Sequence, residues 1–373
     1  MTRLIFLFIL ISALSAGCWA QAPAPVAETQ KTKAITEAKA ETVEKTGNTS
    51  GPHLALVETI TSPTVTVSGF AGLSCDEDGN IFLGLEAGSA PAIRKLNAKG
   101  EVATLFQPYS NPDIDIMSLG HYAVATDGEL YVSASPKDGK PWNVILVFKS
   151  DGSYKTNIKL AQTFGWHASS LAVFANGNIL VTGQRIFKDQ SRMQEPFTAI
   201  FRSDGRLLKT LDLEDDTHIQ DLAKSGSANL TSPLVPTSNR AVAWGLMRTA
   251  KDGYIYVMRA LSRAIIYAIS PGGETVRRFT VDSDSSMLPS QMLISGNRIS
   301  IQFRNNQTFD TVMKIVDLEG KEIATYKTSR AEEKAKPDGV SSIYGCYAAS
   351  PERFTFLTND DKMRLQLQKV EAR

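Results

Sequence analysis

Short apolar stretches alternate with polar, glycine-containing turns along the chain after residue 53, and these turns are of two kinds. Turns of the first kind lead into a strand rich in Ile, Leu, Val and Tyr; they are DEDGNIFLG (76–84), ATDGELYVS (125–133), FANGNILVT (174–182), AKDGYIYVM (250–258) and LISGNRISI (293–301). Turns of the second kind come later in each unit; they are LNAKGEV (96–102), FKSDGSY (148–154), FRSDGRL (201–207), ISPGGET (269–275) and VDLEGKE (316–322). Glycine adopts a positive φ at little cost, and Asp, Asn and Ser side chains accept hydrogen bonds from turn N–H groups. Both kinds therefore predict tight antiparallel hairpins.

The spacing of the first turns predicts a repeat architecture. Their glycines stand at positions 79, 128, 177, 253 and 296, and Glu352 takes the equivalent position in a sixth copy, SPERFTFLT (350–358). The steps between them are 49, 49, 76, 43 and 56 residues, and the long step indicates an insertion at 214–240. Four strands per unit and a period of about 40–50 residues are typical of β-propellers. The alternative, a β-sandwich, does not repeat the same pair of turns five times.

The sixth unit is one strand short at the C-terminus. After SPERFTFLT only KMRLQLQKVEAR (362–373) remains, which provides a single strand. Residues 54–61, in contrast, predict a strand that has no unit of its own. We expect this strand to complete the last blade, because closing the ring removes two unpaired sheet edges. The sequence thus predicts an all-β fold, a six-bladed propeller of four-stranded antiparallel blades closed by the N-terminal strand of the mature domain.

A family resemblance rests on these hairpins. The D-x-x-G-x-I/L-Y/F/L-V hairpin, paired with a later S/D-x-x-G hairpin in successive units, resembles exported bacterial six-bladed propellers of the NHL-repeat, gluconolactonase-like and TolB-like types. The resemblance covers residues 53–373. It implies a fold and leaves the chemistry open, because such folds carry many functions.

The gluconolactonase-like relatives imply one specific alternative, a metal-dependent hydrolase or lactonase. Their site has an acidic residue, an Asn and an Asp that converge at the mouth of the central channel. Glu86, Asn305 and Asn359 are candidates for such positions, although the family's motif has no residue-by-residue match in this chain. A divalent cation belongs to this alternative; otherwise no metal site and no cofactor are predicted.

The first residues predict export. Arg3 precedes an unbroken apolar run, LIFLFILI (4–11), which is too short for an ordinary membrane span and is followed by small residues. Cleavage after Ala20 gives a signal peptide of residues 1–20. Alternatively, LSAGC resembles a lipoprotein signal ending at Gly17, with Cys18 as the lipidated first residue. Both predict a periplasmic or secreted chain, and the second adds a lipid anchor as its only link to the membrane.

Composition separates a spacer from the propeller. Residues 21–52 are dominated by Ala, Pro, Thr, Glu and Lys without an aromatic residue, which predicts a disordered spacer ahead of a propeller at 53–373. The formal net charge of the whole chain is +1, so no nucleic-acid partner is predicted. Of the three cysteines, Cys75 and Cys346 lie in neighbouring units across the closure, and a disulfide between them would staple the ring.

The sequence has no standard catalytic motif, and variable loops on a rigid scaffold are the usual carriers of binding residues. In a four-stranded meander the glycine turns share one face, and the loops after the second strand share the other. Near the end of the second strand, the third, fourth and fifth units carry Arg185, Arg259 and Arg304, which together would suit a carboxylate or phosphate. The alternative is a set of solvated rim arginines. His121 and His167 are further candidates, because they lie near the start of inner strands.

These observations predict an exported module that binds a ligand or a protein, without catalysis, and the arginines favour an anionic ligand. The first alternative is the gluconolactonase-like hydrolase. The second is a structural component of an envelope protein complex.

Overall fold

The computed structural model describes residues 54–66, 70–76, 79–85, 92–137, 144–161, 165–186, 195–211, 213, 246–260, 263–284, 286–305, 307–308, 310–328, 343–350 and 352–372. All of them belong to one compact unit, Gly51–Arg373. They form twenty-four β-strands in six four-stranded antiparallel sheets, which confirms the six-bladed propeller. A short 3-10 helix covers Pro108–Ser110, and no helix within the described ranges is long and apolar enough to cross a membrane.

The first strand belongs to the last blade, and the following strands build blades 1 to 3 in chain order. This strand is β1 (Leu54–Thr66). Blade 1 consists of β2 (Phe70–Cys75), β3 (Ile81–Leu85), β4 (Ala92–Leu96) and β5 (Val102–Phe106). Blade 2 consists of β6 (Ile116–Val124), β7 (Leu130–Pro136), β8 (Val144–Phe148) and β9 (Tyr154–Lys159). Blade 3 consists of β10 (Gly165–Val173), β11 (Ile179–Ile186), β12 (Glu195–Phe201) and β13 (Leu207–Thr210).

Blades 4 to 6 complete the ring. Blade 4 consists of β14 (Leu246–Thr249), β15 (Ile255–Ala260), β16 (Ala264–Ile269) and β17 (Thr275–Val281). Blade 5 consists of β18 (Met287–Ser295), β19 (Arg298–Asn305), β20 (Thr311–Asp317) and β21 (Glu322–Thr328). Blade 6 consists of β22 (Ile343–Ala349), β23 (Glu352–Asn359), β24 (Arg364–Ala372) and β1. The predicted insertion at 214–240 lies outside the described residues.

The ring closes as the sequence predicts. β1 pairs antiparallel with β24, from Leu54 opposite Ala372 to Thr66 opposite Arg364. The strand is longer than the predicted 54–61 because the pairing resumes at Thr66 after an irregularity. The buried Ser62 hydroxyl then donates a 2.6 Å hydrogen bond to the carbonyl oxygen of Gly100 in blade 1. The closing strand therefore also ties the last blade to the first.

The glycine turns have the conformation that their sequences predict. All ten predicted turn glycines have a positive φ, between 55° and 89°. Turns of the second kind connect the two outer strands of a blade, and we call them outer turns. In the outer turn of blade 6, Met363 occupies the position of the glycine, at a φ of 60°. Its N–H donates to the carbonyl oxygen of Asp360, as the turn glycines donate to the residue three positions earlier. Blade 6 thus keeps the turn geometry without the glycine.

The core is divided among the gaps between blades. The buried apolar residues of the described chain form six clusters, and each fills the gap between two neighbouring blades, including the closure gap between blades 6 and 1. Both faces of each sheet are thereby buried, which explains why β8 and β16 are apolar at every position. The blades are held together by this apolar contact, and each blade depends on both of its neighbours.

Several outer turns also press against the preceding blade, where only glycine fits. A Cβ on Gly152 of blade 2 would lie 2.6 Å from the carbonyl oxygen of Leu105 in blade 1. A Cβ on Gly205 of blade 3 would overlap the carbonyl oxygen of Lys159 in blade 2. The Gly205 carbonyl in turn accepts a 2.7 Å hydrogen bond from the N–H of Ala161.

Gly253 and Gly205 share a φ of 84°, but only Gly205 lies against a neighbouring blade. Replacing each by alanine therefore distinguishes the cost of backbone strain from the cost of the blade contact. Gly253→Ala meets nothing within 4 Å, so we expect only the left-handed penalty of about 1–2 kcal/mol in the free energy of unfolding. Gly205→Ala should lose about 1–3 kcal/mol more, because the methyl group overlaps the Lys159 carbonyl. Urea unfolding of both variants measures the difference, and equal losses would contradict the proposed blade contact.

Candidate functional site

A cavity of about 330 Å³ occupies one end of the central channel. The inner strands β2, β6, β10, β14 and β18 contribute the residues near their C-terminal ends, and the first turns of blades 1, 2 and 4 border the opening. We call this space the channel cavity. It lies on the glycine-turn face of the propeller. Its lining includes Cys75, Tyr122, Leu171, Ala172, Met247, Arg248, Leu293 and Ile294.

Arg248 brings a positive charge into the channel cavity. It lies on β14, and its Nη1 donates a 2.8 Å hydrogen bond to the carbonyl oxygen of Met247. Its Nε–H is buried and has no hydrogen-bond acceptor among the described residues, and none of them places a carboxylate in ion-pair contact with it. Burial lowers the pKa of the Arg248 guanidinium, which nevertheless stays charged at neutral pH. Arg248 is half-buried, and a partly desolvated charge without a counterion is costly, so this guanidinium favours an anion beside it.

The groups that act electrostatically on Arg248 come from the other side of the ring. They are Cys75 of blade 1, Tyr122 of blade 2 and Cys346 of blade 6. The Tyr122 hydroxyl donates a 2.8 Å hydrogen bond to the carbonyl oxygen of Phe82, and burial raises the pKa of this phenol well above its usual value. Tyr122 is therefore neutral at physiological pH and offers no negative charge to the guanidinium.

The two cysteines are adjacent free thiols. Cys75 is the last residue of β2 and lines the channel cavity, whereas Cys346 on β22 is 3% exposed. The hydrogen bond from Cys346 lowers the pKa of the Cys75 thiol, and Arg248 acts in the same direction. Burial raises the pKa of the Cys346 thiol well above its usual value. The disulfide considered from the sequence stays a prediction; both cysteines are free thiols and belong to the same apolar cluster.

The mouth of the channel cavity is polar. Lys95 pairs with Asp76 at 3.2 Å, and Lys251 and Asp127 lie in the bordering turns. With Arg248, the lining therefore carries three cations and two carboxylates, an excess of one positive charge. Inside the mouth, apolar residues of β10, β14 and β18 line the cavity. The arrangement suits a small ligand with one negative charge and an apolar remainder.

The three arginines singled out from the sequence occupy equivalent places. Arg185, Arg259 and Arg304 are each the last residue but one of the second strand, on β11, β15 and β19. Arg259 is 0% exposed, and its Nη1 donates a 3.0 Å hydrogen bond to the hydroxyl of Tyr267. Arg304 is half-buried, and the side chain of Arg185 lies outside the description. An anionic site along this arc stays a prediction.

The remaining predicted residues are not brought together by the described structure. His121 is exposed at an irregularity of β6, and His167 pairs with Gln184 on β11. The Asn305 side chain accepts hydrogen bonds from the N–H groups of residues 307 and 308, and Asn359 ends β23. Cys18 and Glu86 lie outside the described residues, as do the leader, the spacer and most of the loops on the opposite face.

The metal expected for the hydrolase alternative was tested against the donor groups. In the described part of the chain, no three His, Cys, Asp or Glu side chains converge to hold a metal ion. Asn305 uses its amide oxygen within its own turn. Glu86, the acidic residue proposed for this site, lies outside the described residues, so the metal site that the gluconolactonase-like resemblance implies stays a prediction.

Arg248 was not singled out from the sequence, although a signal for it exists. When the first turns are aligned on their glycines, the position five residues earlier holds Ser74, Ala123, Ala172 and Arg248 in blades 1 to 4. All four residues line the channel cavity. An arginine among small residues at one channel-facing position indicates a charge placed in the channel, which becomes visible only after this alignment.

Comparison with known proteins supports the fold. No protein-family model and no curated protein matches the chain. A solved structure of an exported-protein candidate from Bacteroides fragilis NCTC 9343 is 10% identical, with a TM-score of 0.52 over 86% of this chain and 95% of that one. A protein of unknown function from Dyadobacter fermentans DSM 18053 is 12% identical, with a TM-score of 0.48 over 86% and 99%. At 10% identity the likeness to the Bacteroides fragilis structure shows the fold alone, and the NHL-repeat or gluconolactonase-like type is not confirmed.

Replacing Arg248 tests whether its charge opposes folding. Arg248→Met keeps much of the side-chain volume and removes the unpaired charge, so we expect the free energy of unfolding to rise by about 1–3 kcal/mol. Arg206→Met is the control, because Arg206 is exposed on an outer turn and pairs with Asp204; it should change stability by less than about 0.5 kcal/mol. Urea unfolding measures both, and a marked loss of stability in Arg248→Met would show a structural role instead.

Proposed function

We propose that this protein is an extracytoplasmic binding module whose channel cavity holds a small organic carboxylate. The observation that carries the proposal is the half-buried Arg248 guanidinium, which lines the channel cavity and has no carboxylate partner among the described residues. A planar guanidinium offers parallel donors that match a carboxylate, and such charge-assisted hydrogen bonds are strong in an enclosed site.

The walls favour a carboxylate over a phosphate. Lys95 is already paired with Asp76, whereas Arg248 has no carboxylate partner among the described residues. Apolar residues such as Leu171, Met247 and Leu293 line the same cavity. A phosphate dianion would need further donors to replace its hydration, whereas a monocarboxylate with a short apolar tail matches both the charge and the walls. A volume of about 330 Å³ suits a ligand of this size.

Export is the second part of the proposal. It is supported by the basic residue and apolar run at the N-terminus, and the similar structure from Bacteroides fragilis is itself an exported-protein candidate. Whether the leader is removed after Ala20, or Cys18 carries a lipid, follows from the mass of the mature N-terminal peptide. Docking to an envelope protein stays an alternative partner class.

Binding is tested with matched charged and neutral ligands. We expect hexanoate to raise the melting temperature of the protein and hexanamide to have much less effect, because only the carboxylate can pair with Arg248. Calorimetric titration should show at least about tenfold weaker binding in Arg248→Lys, which lacks the planar fork, and no measurable binding in Arg248→Met. Arg206→Met should bind as the wild type does.

Two results would contradict the proposal. The first is equal stabilisation by hexanoate and hexanamide at matched ionic strength. The second is hexanoate binding that survives in Arg248→Met, which would move the site elsewhere, for example to the arc of Arg185 and Arg304.

A further inference from the structure

Two thiols meet where the ring closes. Cys75 lies on the inner strand of blade 1 and Cys346 on that of blade 6, and the two thiols are close enough to shift each other's pKa. Both belong to the apolar cluster in the gap between these blades. The Cys346 sulfur also lies 3.9 Å from the carbonyl oxygen of Asn80. The pair therefore lies in the gap between blades 6 and 1, and Cys75 reaches the channel cavity.

The two thiols differ in access and in charge. Cys75 is half-buried and lines the channel cavity, whereas Cys346 lies behind it and is 3% exposed. Arg248 provides a positive charge on the cavity side, and the hydrogen bond from Cys346 favours a thiolate at Cys75. An accessible thiolate next to a shielded thiol is the arrangement in which one sulfur attacks a disulfide and the other completes the exchange.

We propose that Cys75 and Cys346 are a redox-active dithiol, in which Cys75 reacts from the channel cavity with a small-molecule disulfide and Cys346 then closes an intramolecular disulfide between blades 1 and 6. This inference does not depend on the carboxylate ligand, since it rests on the thiols and on the access that the cavity gives them. The predicted export would place the pair in a compartment where disulfides persist.

The exchange balances in two steps. The Cys75 thiolate attacks one sulfur of the oxidant, which forms a mixed disulfide and releases one oxidant half as a thiolate. Cys346 then loses its proton and attacks the Cys75 sulfur, which forms the Cys75–Cys346 bond and releases the second half. In total, two protein thiols are oxidised by two electrons, and one disulfide is reduced to two thiols that take up the two protons.

Arg248 acts here as a positioning residue, not as a reacting group. Its charge stabilises the Cys75 thiolate before the first step. After oxidation both sulfurs are neutral, so this interaction disappears. The first step should consequently depend on the charge at position 248, whereas the second step, which is driven by contact between the two sulfurs, should depend on it much less.

The test uses the full chain carrying Cys18→Ser, so that only the two propeller thiols are counted. The protein is equilibrated with reduced and oxidised glutathione at stepped ratios, quenched in acid, alkylated and weighed intact. We expect both thiols to disappear together as the ratio becomes oxidising, with a Cys75–Cys346 cross-linked peptide after digestion, and both to return on reduction.

Single variants assign the roles. In Cys346→Ser, Cys75 should stop at the mixed disulfide with glutathione. In Cys75→Ser, Cys346 should react at least about tenfold more slowly, because it is shielded and its thiolate is disfavoured. Arg248→Met should slow the first step several-fold and Arg248→Lys should restore most of the rate, while the distant Arg206→Met leaves it unchanged.

Either of two results in the parent protein would overturn the proposal, whether or not the serine variants fold. One is that both thiols stay free at ratios that fully modify the urea-unfolded chain. The other is that the Cys75–glutathione mixed disulfide accumulates while Cys346 remains free.

Discussion

The antiparallel pairing of β1 with β24 is the constraint on which the rest of the structure depends. A row of five complete blades and one three-stranded sheet would leave strand edges and two apolar faces exposed to water. The closing strand completes blade 6, and Ser62 then ties this blade to Gly100 of blade 1. The apolar cluster between these blades forms only when the ring is closed. Closure therefore supplies the sixth gap-filling cluster and the wall of the channel.

The channel cavity is a consequence of this closure. Cys75 and Cys346 lie far apart in sequence and on opposite sides of the closure joint, yet both belong to the same apolar cluster. Arg248 belongs to blade 4, which faces blade 1 across the ring. An isolated blade could not assemble these groups. The same rigid framework holds the Arg248 guanidinium away from any carboxylate in the described chain. An unpaired charge of this kind opposes folding, which favours a role for it in binding.

The fold could be predicted well from the sequence because short local segments, the glycine turns, determine it. Each turn glycine reports its own backbone conformation, and the repeat of these turns gives the blade count and the missing strand. The site was harder to predict, because its residues come from several blades and no short motif joins them. Arg259 illustrates the limit: it shares its strand position with Arg185 and Arg304, but hydrogen bonding to Tyr267 and complete burial follow from three-dimensional packing. Arg248 can be recognised as a channel-facing residue only after the repeats are aligned on their turn glycines.

The central claim is that Arg248 holds an anion in the channel cavity, and anomalous diffraction tests it directly. Crystals of the protein soaked in bromide should show an anomalous peak beside the Arg248 guanidinium within the channel cavity, since a bromide ion needs only a cation that the cavity reaches. The same crystals of Arg248→Met should lack this peak and keep the others. A wild-type map with bromide at surface cations but none within the channel cavity would contradict the claim.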